Sequence, residues 1–150
     1  MKAENGIMLV AFDGSPSSKA ALEWAEKKAP LLDLAIEVVN VWEYAESSLD
    51  VAGVGFGSGG YVGESDPKIW SDQILKDGVE VVFGENSHHI KITSVEGGVV
   101  RTLVEMSKGA DLLVMGSRGH SKLADLILGS VSESLSAKSR CPVVIVHAES

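Results

Sequence analysis

From Met115 to Ser130 the chain reads MGSRGHSKLADLILGS, with Gly116 and Gly119 separated by two residues, then nine residues, then Gly129 followed by Ser130. Glycine loses more conformational entropy on folding than any other residue, so it is worth placing where backbone bends sharply or must let another group come close. The stretch follows the apolar run DLLVM and precedes VSESLSAK, so it connects a strand to the start of a helix. That junction offers unpaired N–H groups and the positive end of a helix dipole, which together make an anion seat. Gly116 and Gly119 would let backbone approach a phosphate or a sugar, and Gly129 would let the turn before the helix close tightly. Ser130 and Ser132 add hydroxyls, and Arg118 and Lys122 add positive charge. A ligand-free reading accounts for part of this: Ser130 and Glu133 have the spacing of a capping box. It leaves Gly116 and Gly119 needing another reason.

A second group with chemical potential is Asp13, in the run IMLVAFDGS. It stands at the C-terminal edge of the first strand, where ligands of open α/β sheets bind. A carboxylate there can accept hydrogen bonds from ribose hydroxyls or an adenine amino group, or it can simply serve the turn before the next helix.

Other signatures fail on context or are missing. Gly55, Gly57 and Gly60 satisfy G-x-G-x-x-G, but they lie well past a strand end and open no helix, so the dinucleotide mechanism does not apply to them. The sequence contains no P-loop, H-E-x-x-H or G-x-S-x-G pattern. His88, His89, His120 and His147 lack cysteine or carboxylate partners at ligand spacing and read as surface or loop residues, so no metal site is expected. Cys141, the single cysteine, reads as a small buried filler and excludes an intramolecular disulfide.

The elements that must hold these groups follow from the hydrophobic pattern. Strand-like runs occur at 7–12, 35–42, 90–95, 111–116 and 142–148. Helical segments lie between them. Pro16 suits a first turn, followed by Ala21, Leu22, Ala25 and Ala29 on one face. Asp66 and Pro67 open the segment 66–83, which Gly78 weakens. The segment 98–109 ends on Gly109, where a left-handed C-cap is expected, and 130–140 stops before Pro142. The order β-α-β-α-β-α-β-α-β predicts an α/β layer structure, a single-domain open sheet of mainly parallel strands with helices on both faces. Residues 43–65 form one long Gly- and Ser-rich connection, a candidate flap.

Composition narrows the partners. The chain has 150 residues, enough to bury roughly two-thirds of its unfolded surface. Acidic residues outnumber basic ones 21 to 13, for a net charge of -8, which argues against nucleic acid. No apolar run approaches a membrane span, and the MKAENG start shows no secretory core, so a cytoplasmic protein is expected.

FDGSPSSKAALEWA, VVNVWE and DLLVMGSRGHSKLADLILGSVSESLSAKSRCPVVIVH together resemble the universal stress protein family along nearly the whole chain. The pattern G, two residues, G, nine residues, G-[ST] is met by Gly116, Gly119, Gly129 and Ser130. The resemblance to the ATP-binding branch of that family implies a nucleoside contact at Asp13 and adenine-side contacts at Val41 and Met115. It implies ribose and triphosphate contacts at Gly116, Arg118, Gly119, Gly129, Ser130, Val131 and Ser132. It implies a five-stranded sheet of order 3-2-1-4-5, Rossmann-like and akin to the adenine nucleotide α-hydrolases, and a homodimer formed through 142–148. ATP, ADP or AMP is the expected ligand, with Mg2+ or Mn2+ carried on the nucleotide, and the expected role is regulatory in stress response. No base is evident for activating water, so any ATP hydrolysis should be slow. The alternative is a dimeric interaction module of the same fold that binds no nucleotide. An α-hydrolase-type enzyme is disfavoured, because S-G-G-x-D-S and H-I-G-H are both missing.

Overall fold

The computed structural model describes residues 6–43, 66–118 and 128–148. In chain order they form β1 (Gly6–Ala11), α1 (Pro16–Leu32), β2 (Leu34–Trp42), α2 (Pro67–Phe83), a 3-10 turn (Gly84–His89), β3 (Lys91–Glu96), α3 (Val99–Ser107), β4 (Leu112–Gly116), α4 (Ser130–Lys138) and β5 (Val143–Val146). The strands make one sheet, every pairing parallel, in the order β3-β2-β1-β4-β5.

Alternation along the strands divides the core in two. Met8, Val10, Val38 and Val114 point to one face and meet Ala21, Leu22 and Ala25 of α1 and Leu75 and Val79 of α2. Leu9, Ala11, Val39, Val41, Leu113 and Met115 point to the other, where Leu103 of α3 and Leu135 of α4 cover them. Right-handed crossovers require this division: moving from β1 out to β3 lays α1 and α2 on one side, and returning to add β4 and β5 lays α3 and α4 on the other. Direction therefore switches between β1 and β4, and the crevice for a ligand belongs above that pair.

Local signals act largely as their residue types suggest. Ser15 caps α1 and Pro16 opens it, with Ala21, Leu22, Ala25 and Ala29 all buried. The helix continues through Pro30 to a left-handed Asp33 (φ 59°). Asp66 caps α2, accepting the Lys68 N–H at 2.9 Å. Gly78 has a packing role: a Cβ there would stand 2.5 Å from Phe12 Cζ, so the missing side chain admits the Phe12 ring.

Two expectations are corrected. Gly109 is not a left-handed cap. Of the described glycines only Gly14, Gly84 and Gly97 have positive φ, and α3 ends instead by tightening: Lys108, Gly109 and Ala110 donate to Glu105, Met106 and Ser107 at 3.2, 3.1 and 3.2 Å. Ser130 is not a cap either. The N-cap of α4 is Gly129, Ser130 is the first helical residue, and the cap makes no side-chain hydrogen bond.

Candidate functional site at the C-terminal edge of β1 and β4

The central strand is shorter than its neighbours. β1 ends at Ala11, opposite Val39, while β2 continues to Trp42. Pairing of β1 with β4 ends at Val10 and Val114, while β4 continues to Gly116. A notch is left over the end of β1. Alternate residues of a parallel strand turn their N–H and C=O to the same neighbour. Phe12 N–H donates to Val39 O at 2.9 Å, so the peptide edge of Val41 also faces the β1 side. Leu113 and Ser117 donate to Pro142 O and Val146 O of the β5 side, both at 2.9 Å, so Val114 and Gly116 face β1. Val41 and Gly116 thus present backbone to the notch from opposite walls. Their neighbour Met115 turns its peptide edge to β5 and buries its side chain in the same core cluster as Val41.

The base of the notch is the turn Asp13-Gly14-Ser15. Gly14 has φ +85°, a conformation that favours glycine. Asp13 is fully buried; its Oδ1 accepts the Ser15 N–H at 2.9 Å, and its own N–H donates to Ser18 Oγ at 3.3 Å. Ser15 Oγ accepts the Ser18 N–H at 3.3 Å, so the first turn of α1 satisfies itself. Ser17 ties that turn to the chain leaving β4, donating to Arg118 O at 2.5 Å and accepting Arg118 N–H at 3.2 Å. The Arg118 side chain itself is exposed. Gly116 permits this docking, because a Cβ there would stand 2.5 Å from Ser17 C and 2.7 Å from Ser18 N.

The start of α4 is built differently. Gly129 N–H donates to Ser117 O at 2.6 Å, and the buried Ser132 hydroxyl donates to Ser117 O at 2.9 Å and to Gly129 O at 3.1 Å. Glu133 N–H closes the first helical turn on Gly129 O at 2.9 Å. The amides of Ser130 and Val131 therefore lead a nine-residue helix whose cap supplies no acceptor, with Ser130 exposed and Val131 half-buried. Among the described residues, of the two helix starts flanking the notch, α1 is closed by its own serine and α4 has no side-chain cap. Gly129 itself has φ -76° and ψ 171°, available to any residue.

Gly119 and Lys122 lie outside the described residues, as does His120. So do all of 43–65 except Glu43, including Gly55, Gly57 and Gly60. Among the described residues, no three His, Cys, Asp or Glu side chains gather as metal ligands, and no helix is long and apolar enough to cross a membrane. His88 and His89 pack on each other in the 3-10 turn, ring centroids 3.9 Å apart. Cys141 is half-buried against the α3/α4 core; burial raises its thiol pKa, a Ser139 hydrogen bond lowers it, and Asp111 raises it.

Sequence reasoning missed Asn40. This fully buried amide donates from Nδ2 to Phe12 O at 2.9 Å, and a polar residue inside the apolar run VVNVW was the signal for it. It also missed Ser17, whose hydroxyl joins α1 to the β4 exit at Arg118, and Ser18, whose hydroxyl ties the Asp13 N–H to Ser15 O within the turn.

Comparison with known proteins agrees with this architecture. A stress response protein of Bacillus subtilis, NhaX, is 35% identical, the alignment covering 93% of this chain and 96% of that protein. The universal stress protein Rv2005c of Mycobacterium tuberculosis is 30% identical over 99% of this chain, which spans 50% of its length. A universal stress protein crystallised in complex with cAMP superposes with a TM-score of 0.66 at 26% identity, covering 97% of this chain and 98% of the other. The universal stress protein family model matches residues 4–147, and with the 3-2-1-4-5 sheet this establishes that the chain belongs to that family.

Proposed function

We propose that this protein binds an adenine nucleotide in the notch over β1 and acts as a regulatory stress protein of the cytoplasm. The observation that carries the reading is the open start of α4: Gly129 caps the helix without a side chain, so the Ser130 and Val131 amides suit a phosphate. Gly116 and Arg118 border that seat, Gly119 would complete it, and Asp13 at the base suits ribose hydroxyls or an amino group. The Val41 peptide edge offers one donor and one acceptor, which match adenine N1 and N6; guanine reverses that pattern, so adenine is preferred. Met115, on the β4 wall opposite Val41, would supply the other adenine-side contact. The cAMP bound by a relative at 26% identity supports an adenine ligand. ATP is the ligand proposed, with ADP or AMP as lesser forms and Mg2+ or Mn2+ accompanying the phosphates.

Occupancy would supply the cap that α4 lacks. Because α4 packs on β5, phosphate binding would stabilise that edge of the sheet, where Val143–Val146 are all half-buried and suit a homodimer. Titration calorimetry should detect ATP, and no heat with ATP, ADP or AMP at millimolar nucleotide would overturn the proposal. Turnover should stay below about 1 per second. The same half-buried apolar edge favours the second reading, a dimeric interaction module without nucleotide. Light scattering separates the two, since a dimer indifferent to ATP together with blank calorimetry favours the module.

A further inference from the structure

We infer that Asn40 is a positioning residue that reserves the Val41 backbone for the ligand, a role that rests on the adenine-binding reading above. The parallel ladder of β1 and β2 runs up to Phe12, whose N–H donates to Val39 O at 2.9 Å. In a regular ladder the next bond would run from Val41 N–H to Phe12 O. Here Phe12 O instead accepts from Asn40 Nδ2, also at 2.9 Å. The side-chain amide thus stands in for the ladder bond and terminates pairing one step early. The consequence is geometric: the peptide edge of Val41 stays directed at the notch while Phe12 O, immediately before Asp13, remains fixed.

The second observation concerns what Asn40 gives up. It is fully buried on the α1/α2 face, and its Oδ1 has no hydrogen-bond partner among the described residues. Burying an amide acceptor unsatisfied is unfavourable, and an apolar residue matching Val38 on the same face would avoid it. A residue serving only packing would not be an amide here. Asn40 also holds the Phe12 carbonyl, so it fixes the approach to Asp13 and the exposure of Val41 with one hydrogen bond.

The experiment is an NMR measurement of through-hydrogen-bond coupling and amide exchange on the full chain, paired with calorimetry on Asn40→Leu. In the wild type without nucleotide, coupling to the Phe12 carbonyl carbon should come from Asn40 Nδ2 and not from Val41 N, and Val41 N–H should exchange readily. Asn40→Leu should transfer the coupling to Val41 N, protect that amide, and weaken ATP roughly tenfold, the value of about one hydrogen bond. Its thermal stability should be unchanged or higher, because the orphaned acceptor is removed. Coupling from Val41 N to Phe12 in the wild type overturns the inference without any variant. Unchanged ATP affinity in a folded Asn40→Leu also overturns it. If the wild type binds no adenine nucleotide, the functional reading falls, and the NMR result still decides whether Asn40 withholds Phe12 O from Val41.

Discussion

Gly116 and Ser17 are packed so closely that no other residue fits at 116: a Cβ would meet Ser17 Oγ and stand 2.5 Å from Ser17 C. Part of that obstacle is backbone, which cannot rotate aside. The contact sets the distance between the first turn of α1 and the exit of β4, the two structures that frame the notch. Gly116→Ala should therefore destabilise the fold by about 1–3 kcal/mol, as overpacking does, in urea unfolding without any ligand present. A variant as stable as the wild type would show that Gly116 is kept for ligand approach alone.

Gly129 makes the opposite case. Its conformation is available to any residue, and it caps α4 without a side chain. Gly129→Asp should place a carboxylate on the leading amides, a good N-cap arrangement, and raise stability by a few tenths of a kcal/mol. The same carboxylate should displace and repel phosphate, so ATP affinity should fall by roughly a hundredfold or more. A variant that gains stability and still binds ATP would remove the α4 start from the site.

The difference between these glycines explains what could be read from sequence. The strand and helix order, the Pro16 opening of α1, the Asp66 cap and the α1 face were legible because each depends on residues adjacent in the chain or one turn apart. The candidate site was legible as spacing, since Gly116, Gly129 and Asp13 fall at strand-to-helix junctions. What spacing could not give is the partner of each group. Gly116 answers to Ser17, 99 positions earlier in the chain, and Asn40 answers to Phe12, just past the end of the neighbouring strand. The capping box at Ser130 and Glu133 failed for the same reason. Ser117 O draws in the Gly129 N–H and the Ser132 hydroxyl, so the helix starts one residue earlier than the local pattern suggests.

Cys141 gives a pH dependence. Burial, first, and the charge of Asp111 hold its thiol pKa above the ordinary 9.0 against the lowering effect of Ser139. The folded state therefore retains the proton more tightly than the unfolded chain. That contribution is fully present below the ordinary thiol pKa and is lost as pH rises through the folded value. Stability measured from pH 8 to about 10.5 should fall less steeply in Cys141→Ala than in the wild type. Alkylation by iodoacetamide at pH 8 should be slower than for a small free thiol, and equal rates would show that the thiol is not held neutral.

Gly78 and Phe12 supply a coupled pair. In the middle of a helix, glycine to alanine ordinarily gains about 0.5–1 kcal/mol. At 78 the new methyl would stand 2.5 Å from Phe12 Cζ and 2.6 Å from Cε2, and the ring is 4% exposed, with little room to move. Gly78→Ala alone should therefore destabilise by about 1–2 kcal/mol, the overpacking penalty less the propensity gain. Against Phe12→Leu, which withdraws the ring atoms, the same substitution should become neutral or stabilising, giving a coupling energy of about 1–3 kcal/mol in a double-mutant cycle. Phe12 carries the carbonyl held by Asn40 and precedes Asp13, so Gly78→Ala should also weaken ATP binding. Additive stabilities in the cycle would mean that the ring has room to yield, and that α2 does not help to fix the base of the notch.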